Sequence, residues 1–366
     1  MKKLIIFFSA LALIGSCAKM EETGPVQNDQ PNDSGLPKVL YASVVDGQDP
    51  ETRTYVDGKT VMWQPGDIIS HFYGNRRNAP YIYRGETPAS NVKLEYYDDI
   101  DVGTVEMPSV NYSRSVYPYD PLTTITVEDG IDKINVNYPT TQTYATNSFG
   151  RGANLMIATG DSYLSEDVQH FRNACGYLVI KLYGRATVKS ITLSAADGVA
   201  KIAGKATIVT DENDIPMATM SDEASTVVTL DCSNNGGVAL STDKNDPTEF
   251  WFALPPVNIK GGIKIVVTDM NGNTYMKQTT KDVNITRNNI QPMAALEFVS
   301  NTPASNKIWY TKVADSGLGP ITFSETDPNP FDAEIKEQYY LSSIEQYVIE
   351  FKTPVKTIKA NAFNGT

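Results

Sequence analysis

The sequence predicts an all-β protein built from two tandem β-sandwich domains, and three observations carry that reading. Runs rich in Thr, Val, Ile and Tyr are separated by turn signals in a chain with 25 Gly and 21 Pro among 366 residues. No stretch holds a helical period beyond about two turns. The runs also fall into two series of about 130 residues each, the size of a seven-stranded sandwich.

Composition narrows the function classes. Hydrophobic residues make up 41% of the chain and charged residues 20%, enough for a packed core. The formal charge of −12 leaves no basic surplus to displace phosphate counterions, so no nucleic-acid partner is expected. Two histidines and three cysteines leave almost no material for a soft-metal site, and neither a metal nor a cofactor is expected.

Residues 1–16 read as a secretory signal. Met1-Lys2-Lys3 is a charged start, and the apolar run Leu4 to Ile14 is broken only by Ser9. That run is too short to span about 30 Å of hydrocarbon as a helix. Its end, Leu13-Ile14-Gly15-Ser16-Cys17, resembles the bacterial lipobox, which implies that Cys17 is lipidated and becomes the new N-terminus. Several acyl chains at about 0.8 kcal/mol per buried CH₂ make such an anchor stable. Loss of Lys2 and Lys3 with the signal takes the net charge from −12 to −14. Residues 17–37 then form the lipidated cysteine and a flexible tether without apolar periodicity. Within it Ala18-Lys19-Met20-Glu21-Glu22 looks like the signal that exports lipoproteins to the outer face of the outer membrane in Bacteroides-type bacteria. The expected location is therefore the outer membrane, surface-exposed or assembled in fimbriae, with the lipid as the only membrane contact. Cys175 and Cys232 remain; they could pair in an oxidising compartment, but Cys175 lies in a strand-like run where a small buried thiol is common.

The first domain is expected over residues 38–165. Val39 to Val45 opens it, and Asp57-Gly58 is a hairpin signal between Thr52–Val56 and Thr60–Trp63. Strand candidates follow at Asp67 to Tyr73, Tyr81 to Tyr83, Val92 to Tyr97 and Arg114 to Tyr117. The acidic stretch Gly160 to Asp167 marks the boundary, and residues 166–299 form the second domain. Its candidates are Tyr177–Leu182, Val188–Ser194, Ala203–Thr210, Thr226–Leu230, Glu249–Leu254, Ile263–Thr268 and Thr274–Thr280, with hairpin turns at Asp197-Gly198 and Asn271-Gly272.

Ordered segments across both domains resemble the fimbrillin family, lipoprotein precursors of pilus-like surface structures. They are Thr52-Arg53-Thr54, Met62-Trp63-Gln64-Pro65-Gly66-Asp67-Ile68-Ile69, Val116-Tyr117-Pro118-Tyr119 and Pro139-Thr140-Thr141-Gln142-Thr143-Tyr144. Then come Asn147-Ser148-Phe149-Gly150-Arg151-Gly152-Ala153-Asn154-Leu155-Met156-Ile157-Ala158, Phe171-Arg172-Asn173-Ala174-Cys175-Gly176-Tyr177-Leu178 and Phe250-Trp251-Phe252-Ala253-Leu254-Pro255-Pro256. Their order and spacing, rather than any one motif, carry the resemblance over residues 38–299. It implies that both sandwiches are transthyretin-like. It also implies assembly by strand exchange, in which a protease removes an N-terminal strand and a neighbour's strand fills the groove. The removable strand would be Val39 to Val45, an edge element with Val39, Tyr41, Ser43 and Val45 alternating along it, and Arg53 the processing site. Read by themselves, the same residues specify fold: Trp63 is a core aromatic rather than a sugar platform, Pro65-Gly66-Asp67 a turn, and Tyr117 a strand-end packer.

Residues 300–366 differ. Pro354-Val355-Lys356-Thr357-Ile358-Lys359-Ala360-Asn361-Ala362-Phe363-Asn364-Gly365-Thr366 resembles one unit of the BspA-like leucine-rich repeat, and Asn306-Lys307-Ile308-Trp309-Tyr310-Thr311 resembles the lead-in to such arrays. One unit cannot bury its own apolar edge, so a truncated product or a strand that pairs with a partner is expected.

Catalytic patterns are weak. His71 and His170 are far apart in sequence, and neither lies near a G-x-S-x-G elbow. Asp98, Asp99 and Asp101 read as a solvated acidic loop rather than a carboxylate pair. Asp269-Met270-Asn271-Gly272-Asn273 opens like a calcium loop but lacks the later bidentate Glu, and reads as a hairpin turn. The expectation is a non-enzymatic, surface-anchored fimbrillin-like lipoprotein, a pilus-like subunit or adhesin whose partners are other pilus subunits or host surface ligands. The alternative is a surface lipoprotein that captures host protein or glycan through a leucine-rich repeat array.

Overall fold

The computed structural model describes residues 38–45, 61–72, 78–100, 113–159, 168–299, 306–311, 321–323, 328–341, 345–360 and 362–363. Cys17, the tether, Arg53, the Asp57-Gly58 turn and Asp101 lie outside the described residues. Strands dominate the rest, and among the described residues the one helical turn is the short 3₁₀ segment Asn234–Gly236. The protein is all-β.

Seven strands close a barrel: β1 (Val39–Val44), β2 (Ile68–Phe72), β3 (Ala79–Tyr83), β4 (Asn91–Tyr96), β5 (Arg114–Tyr117), β10 (Met156–Thr159) and β11 (Val168–Asn173), in the spatial order β1-β11-β10-β5-β2-β3-β4. Period-two alternation marks β4 and β11, where Val92 and Leu94 or Gln169 and Phe171 are buried between more exposed neighbours, whereas β2, β3 and β5 are buried at nearly every position. Along β1, Leu40 and Ala42 are buried while Tyr41 between them is exposed. The interior is aromatic around Trp63, whose ring meets those of Phe171 and Tyr117 edge-on at 4.9 and 5.4 Å.

β1 is not the edge element expected for Val39 to Val45. It pairs in parallel with β11 (Tyr41 opposite Val168) and antiparallel with β4 (Tyr41 opposite Lys93). Beyond its end the Val45 amide donates to the Phe171 carbonyl at 3.0 Å. Its inward Leu40–Ala42 face completes the interior, and closure leaves the sheet without an edge.

A four-stranded sheet, β15-β14-β7-β6, is built from β6 (Thr124–Glu128), β7 (Ile131–Tyr138), β14 (Gly204–Thr210) and β15 (Pro216–Met220). A second, β18-β12-β23, combines β12 (Gly176–Gly184), β18 (Thr248–Leu254) and β23 (Ile290–Pro292), with β24 (Leu296–Phe298) also on β12. Facing it is the sheet β21-β20-β13-β16-β8-β9, made of β8 (Thr141–Ala145), β9 (Ser148–Phe149), β13 (Thr187–Ala195), β16 (Val227–Asp231), β20 (Ile263–Asp269) and β21 (Thr274–Gln278), with β17 (Val238–Ala239) on β13. β19 (Val257–Ile259) pairs with β22 (Val283–Ile285).

Strand β12 shows why its sequence is apolar without alternation. Leu178, Ile180 and Leu182 enter the sandwich core against Ile191, Leu193 and Ile265, whereas Tyr177 and Val179 face a second core with Val136, Tyr138 and Ile208. That second core also takes Phe72, Val116 and Ile157 from the barrel, so barrel, four-stranded sheet and sandwich share buried surface. The half-buried pair Arg114–Asp132, at 3.1 Å, joins β5 to β7 beside it.

Pairing crosses residue 165. β11 follows the acidic stretch yet completes the barrel, lying antiparallel to β10 with Ile157 opposite Arg172. β6 to β9 precede that stretch yet join strands that follow it, as where Thr229 on β16 faces Thr141 on β8. Asn271-Gly272 turns the β20–β21 hairpin. Asp197-Gly198 does not make one, because β13 and β14 lie in different sheets.

The last sheet, β25-β27-β26, consists of β25 (Lys307–Tyr310), β26 (Ile335–Leu341) and β27 (Gln346–Phe351). One face holds Phe331, Ile349 and Phe351. Ile358 of the repeat-like tail bridges to Phe331, and the Phe363 ring lies 6.0 Å from that of Phe331. Arg185 of the sandwich pairs with Glu337 and stacks over the Tyr339 ring at 4.6 Å.

Candidate functional site

A cleft of about 460 Å³ opens where the barrel meets the sandwich. Its barrel wall comes from the turn before β2 and the end of β5. The Asp67 amide donates to the Gln64 carbonyl at 2.9 Å around Pro65-Gly66, with Gly66 at φ +85°, the Pro-Gly order of a type II turn. The Gln64 amide returns a bond to Asp67 Oδ2 at 2.7 Å. Asp67 is thereby held beneath the cleft, where it also receives the Tyr117 hydroxyl on Oδ1 at 3.1 Å.

The opposite wall is the β8–β9 hairpin and the loop after it. Asn147 takes the left-handed conformation at its turn (φ 54°), which Asn tolerates better than most residues. A Cβ on Gly150 would sit 1.9 Å from the Thr143 carbonyl oxygen, so only glycine lets the chain leave β9 there. Arg151 then reaches back to the barrel, with Nη2 donating to the Pro65 carbonyl at 2.6 Å and Nε 3.3 Å from Asp67 Oδ1. The next amide, Gly152, donates to the Tyr117 hydroxyl at 3.2 Å.

Burial pushes the Asp67 carboxyl up, and the bonds from Gln64 and Tyr117 and the Arg151 charge pull it back. Tyr117 is driven above the ordinary phenol range by burial and by the Asp67 charge. The net shift of Asp67 is upward, with the Tyr117 hydroxyl donating to its carboxyl and Arg151 facing it.

The floor is a chain of side-chain amides. The Tyr177 hydroxyl donates to Asn154 Oδ1 at 3.0 Å, Asn154 Nδ2 to Asn173 Oδ1 at 2.7 Å, and Asn173 Nδ2 to Asn288 Oδ1 at 2.8 Å. The Phe149 ring lies 5.2 Å from Tyr177 and parallel to it within 6°, and Trp251 is tilted against Tyr177 at 6.4 Å. Segments read separately as fold-specifying are therefore in direct contact. Tyr117 is not only a strand-end packer, since it bonds the turn that carries Asp67. Gln64, Asn147 and Asn288 were not singled out as site residues, and Asn288 lies outside every motif segment.

Trp63 is 1% exposed and belongs to the barrel interior. Trp63→Ala is expected to cost about 3–5 kcal/mol in urea unfolding; a loss below about 1 kcal/mol would put the ring outside the core.

The other singled-out residues lie elsewhere. Val39, Tyr41, Ser43 and Val45 line or follow β1, away from the cleft, and Ser43 Oγ meets His170 Nδ1 at 2.8 Å across the β1–β11 pair. His71 Nδ1 meets Ser115 Oγ at 2.8 Å inside the barrel, and Ser115 donates to Gln169 Oε1 at 3.1 Å. That serine–histidine pair is buried and ends on an amide rather than a carboxylate. Asp98 and Asp99 are exposed in the turn after β4. Asp269 Oδ1 caps its own hairpin by accepting from the Asn271 and Asn273 amides at 2.9 and 2.8 Å. Cys175 and Cys232 are free, buried in different cores, and burial pushes both thiols up to about 12. Among the described residues no group of three His, Cys, Asp or Glu side chains could hold a metal ion.

No family model and no curated protein matches the sequence. Solved structures are similar at low identity. A candidate cell adhesion protein from Bacteroides ovatus shares 14% identity, covering 72% of this chain and 92% of its own, with a TM-score of 0.41. A candidate cell adhesion protein from Bacteroides uniformis shares 14% over 73% of this chain and 94% of its own, with a TM-score of 0.36. A fimbrial protein from Bacteroides ovatus shares 13% over 82% of this chain and 58% of its own, with a TM-score of 0.26.

Proposed function

We propose that the chain is a surface-anchored, non-enzymatic lipoprotein of the fimbrillin type, acting as a pilus-like subunit or adhesin. The observation that carries this reading is the joint itself. Five of the segments that resemble the family meet there through Asp67, Tyr117, Arg151, Asn154, Asn173, Tyr177 and Trp251. A set of local motifs with no common role would have no reason to converge. Together they weld barrel to sandwich, which suits a subunit that transmits load between neighbours.

Assembly by strand exchange is part of the proposal. β1 is paired on both sides, so a neighbour's strand would enter only after β1 leaves, between β4 and β11. Processing at Arg53 would have to precede that step. A second reading, a repeat array that captures host protein or glycan, is favoured by the tail. Ile358 and Phe363 rest on the aromatic cluster of the last sheet, as a repeat rests on its lead-in.

Anchoring is tested through Cys17. Cys17→Ala is expected to move the protein from the detergent phase to the aqueous phase, because several acyl chains supply the membrane affinity. Unchanged partitioning would overturn the anchor.

A further inference from the structure

We infer that the cleft between barrel and sandwich binds a neutral saccharide, an inference that rests on the surface role proposed above and names what that surface would hold. The volume, about 460 Å³, falls within the range of small-molecule pockets, roughly 300–1,000 Å³. Its lining combines two chemistries. Phe149 and Met62 are apolar, with Phe149 half-buried and braced by its stack on Tyr177 and Met62 39% exposed. Gln64, Asn147, Ser148 and Asn288 bring amides and a hydroxyl, groups that both donate and accept.

A pyranose ring uses both at once. Its C–H face is apolar, and its rim of hydroxyls needs partners that donate as well as accept. Two other ligand classes fit less well. The charged groups in the lining, Asp67 and Arg151, face each other at 3.3 Å, so an anion entering beside Arg151 would meet the Asp67 carboxylate. An extended peptide would need a strand edge to pair with, and the one at the cleft, β9, is only the two residues Ser148–Phe149. The aromatic wall also sits on rigid parts: β9 is tied to β8, and Tyr177 is anchored by Asn154. A site so held loses little freedom when a ligand binds.

Saturation-transfer NMR on the full mature chain tests this with maltotriose, cellotriose, mannotriose and N-acetylchitotriose as neutral probes, and sialyllactose and an unrelated heptapeptide as comparators. At least one neutral trisaccharide is expected to bind, with its ring C–H protons most strongly saturated. Phe149→Ala and Asn147→Ala are each expected to weaken that binding at least tenfold. Tyr340→Ala, on the last sheet, is expected to leave it unchanged. Phe149→Leu keeps apolar volume without the ring, so it gives the same readout if the alanine variant fails to fold. The inference is overturned if no neutral probe binds at millimolar concentration, if only sialyllactose or the peptide binds, or if binding survives both the Phe149 and Asn147 changes. A chain that still partitions through Cys17 but binds no saccharide would remove this inference and leave the anchored surface role standing.

Discussion

Between pH 6.5 and 5 the protein is expected to lose roughly 2 kcal/mol of stability that a His71→Gln variant retains. His71 is 1% exposed inside the barrel, with its ring edge-on to Tyr81 at 5.3 Å. Burial lowers its pKa from 6.5 to about 3, because the cation would lose its hydration there. The sign follows from proton counts. In the unfolded chain the imidazole takes up a proton as pH falls through about 6.5, while the folded chain takes none until about 3. Stability is therefore fully present above about 6.5 and is lost as pH falls, reaching about 5 kcal/mol across the whole window. Glutamine can keep a hydrogen bond to Ser115 and does not titrate. Urea unfolding of both proteins at pH 6.5 and 5 isolates the effect, since every other titrating group is common to the two. Equal losses in the two proteins would mean that the imidazole is solvated in the folded barrel.

The fold class was legible because strand alternation is a local property. Leu40–Tyr41–Ala42 in β1 and Ile191–Thr192–Leu193 in β13 both alternate as written and as folded. Turn chemistry was legible only in part. Asn271-Gly272 and Asp197-Gly198 both reverse the chain, but which sheet the next strand joins depends on distant partners, and β14 finds β7 rather than β13. The acidic stretch Gly160 to Asp167 marked a domain boundary for the same reason. Its composition carries no information on pairing, and the strands on either side of it, β10 and β11, pair with each other. The central position of β1 was hidden because β11, its parallel partner, lies far along the chain. The cleft was half visible. Its aromatic and Asn residues stood in the motif segments, but their convergence is tertiary, and Asn288 carried no local signal beyond its neighbour Asn289.

Deleting residues 38–46 is expected to open the barrel and drive self-association without unfolding the sandwich. β1 supplies the buried Leu40 and Ala42, and its main chain pairs with Asn91–Glu95 on β4 and with Val168–Phe171 on β11. Burial of Leu40 alone contributes about 1.5–3 kcal/mol, and each lost main-chain bond about 1 kcal/mol. Set against a typical domain stability of about 5–15 kcal/mol, that loss leaves the barrel near its margin unless another strand fills the gap. The sandwich core of Leu178, Ile191, Phe252 and Ile265 contains no barrel residue, so it should keep its own cooperative transition. Two facing strand edges with an apolar floor are also a template for pairing. The truncated chain should therefore elute as oligomers at concentrations where the parent is a monomer, and an excess of a peptide with the sequence Val39 to Val45 should return it to monomers. A truncated chain that stays monomeric and as stable as the parent would refute both the groove and the exchange mechanism. Aggregates with no cooperative melting at all would show instead that β1 holds the whole fold together, sandwich included. Size-exclusion chromatography with thermal unfolding separates the three outcomes, and recovery by the peptide is the one that strand exchange requires, because the groove then accepts a strand of the same sequence from another molecule.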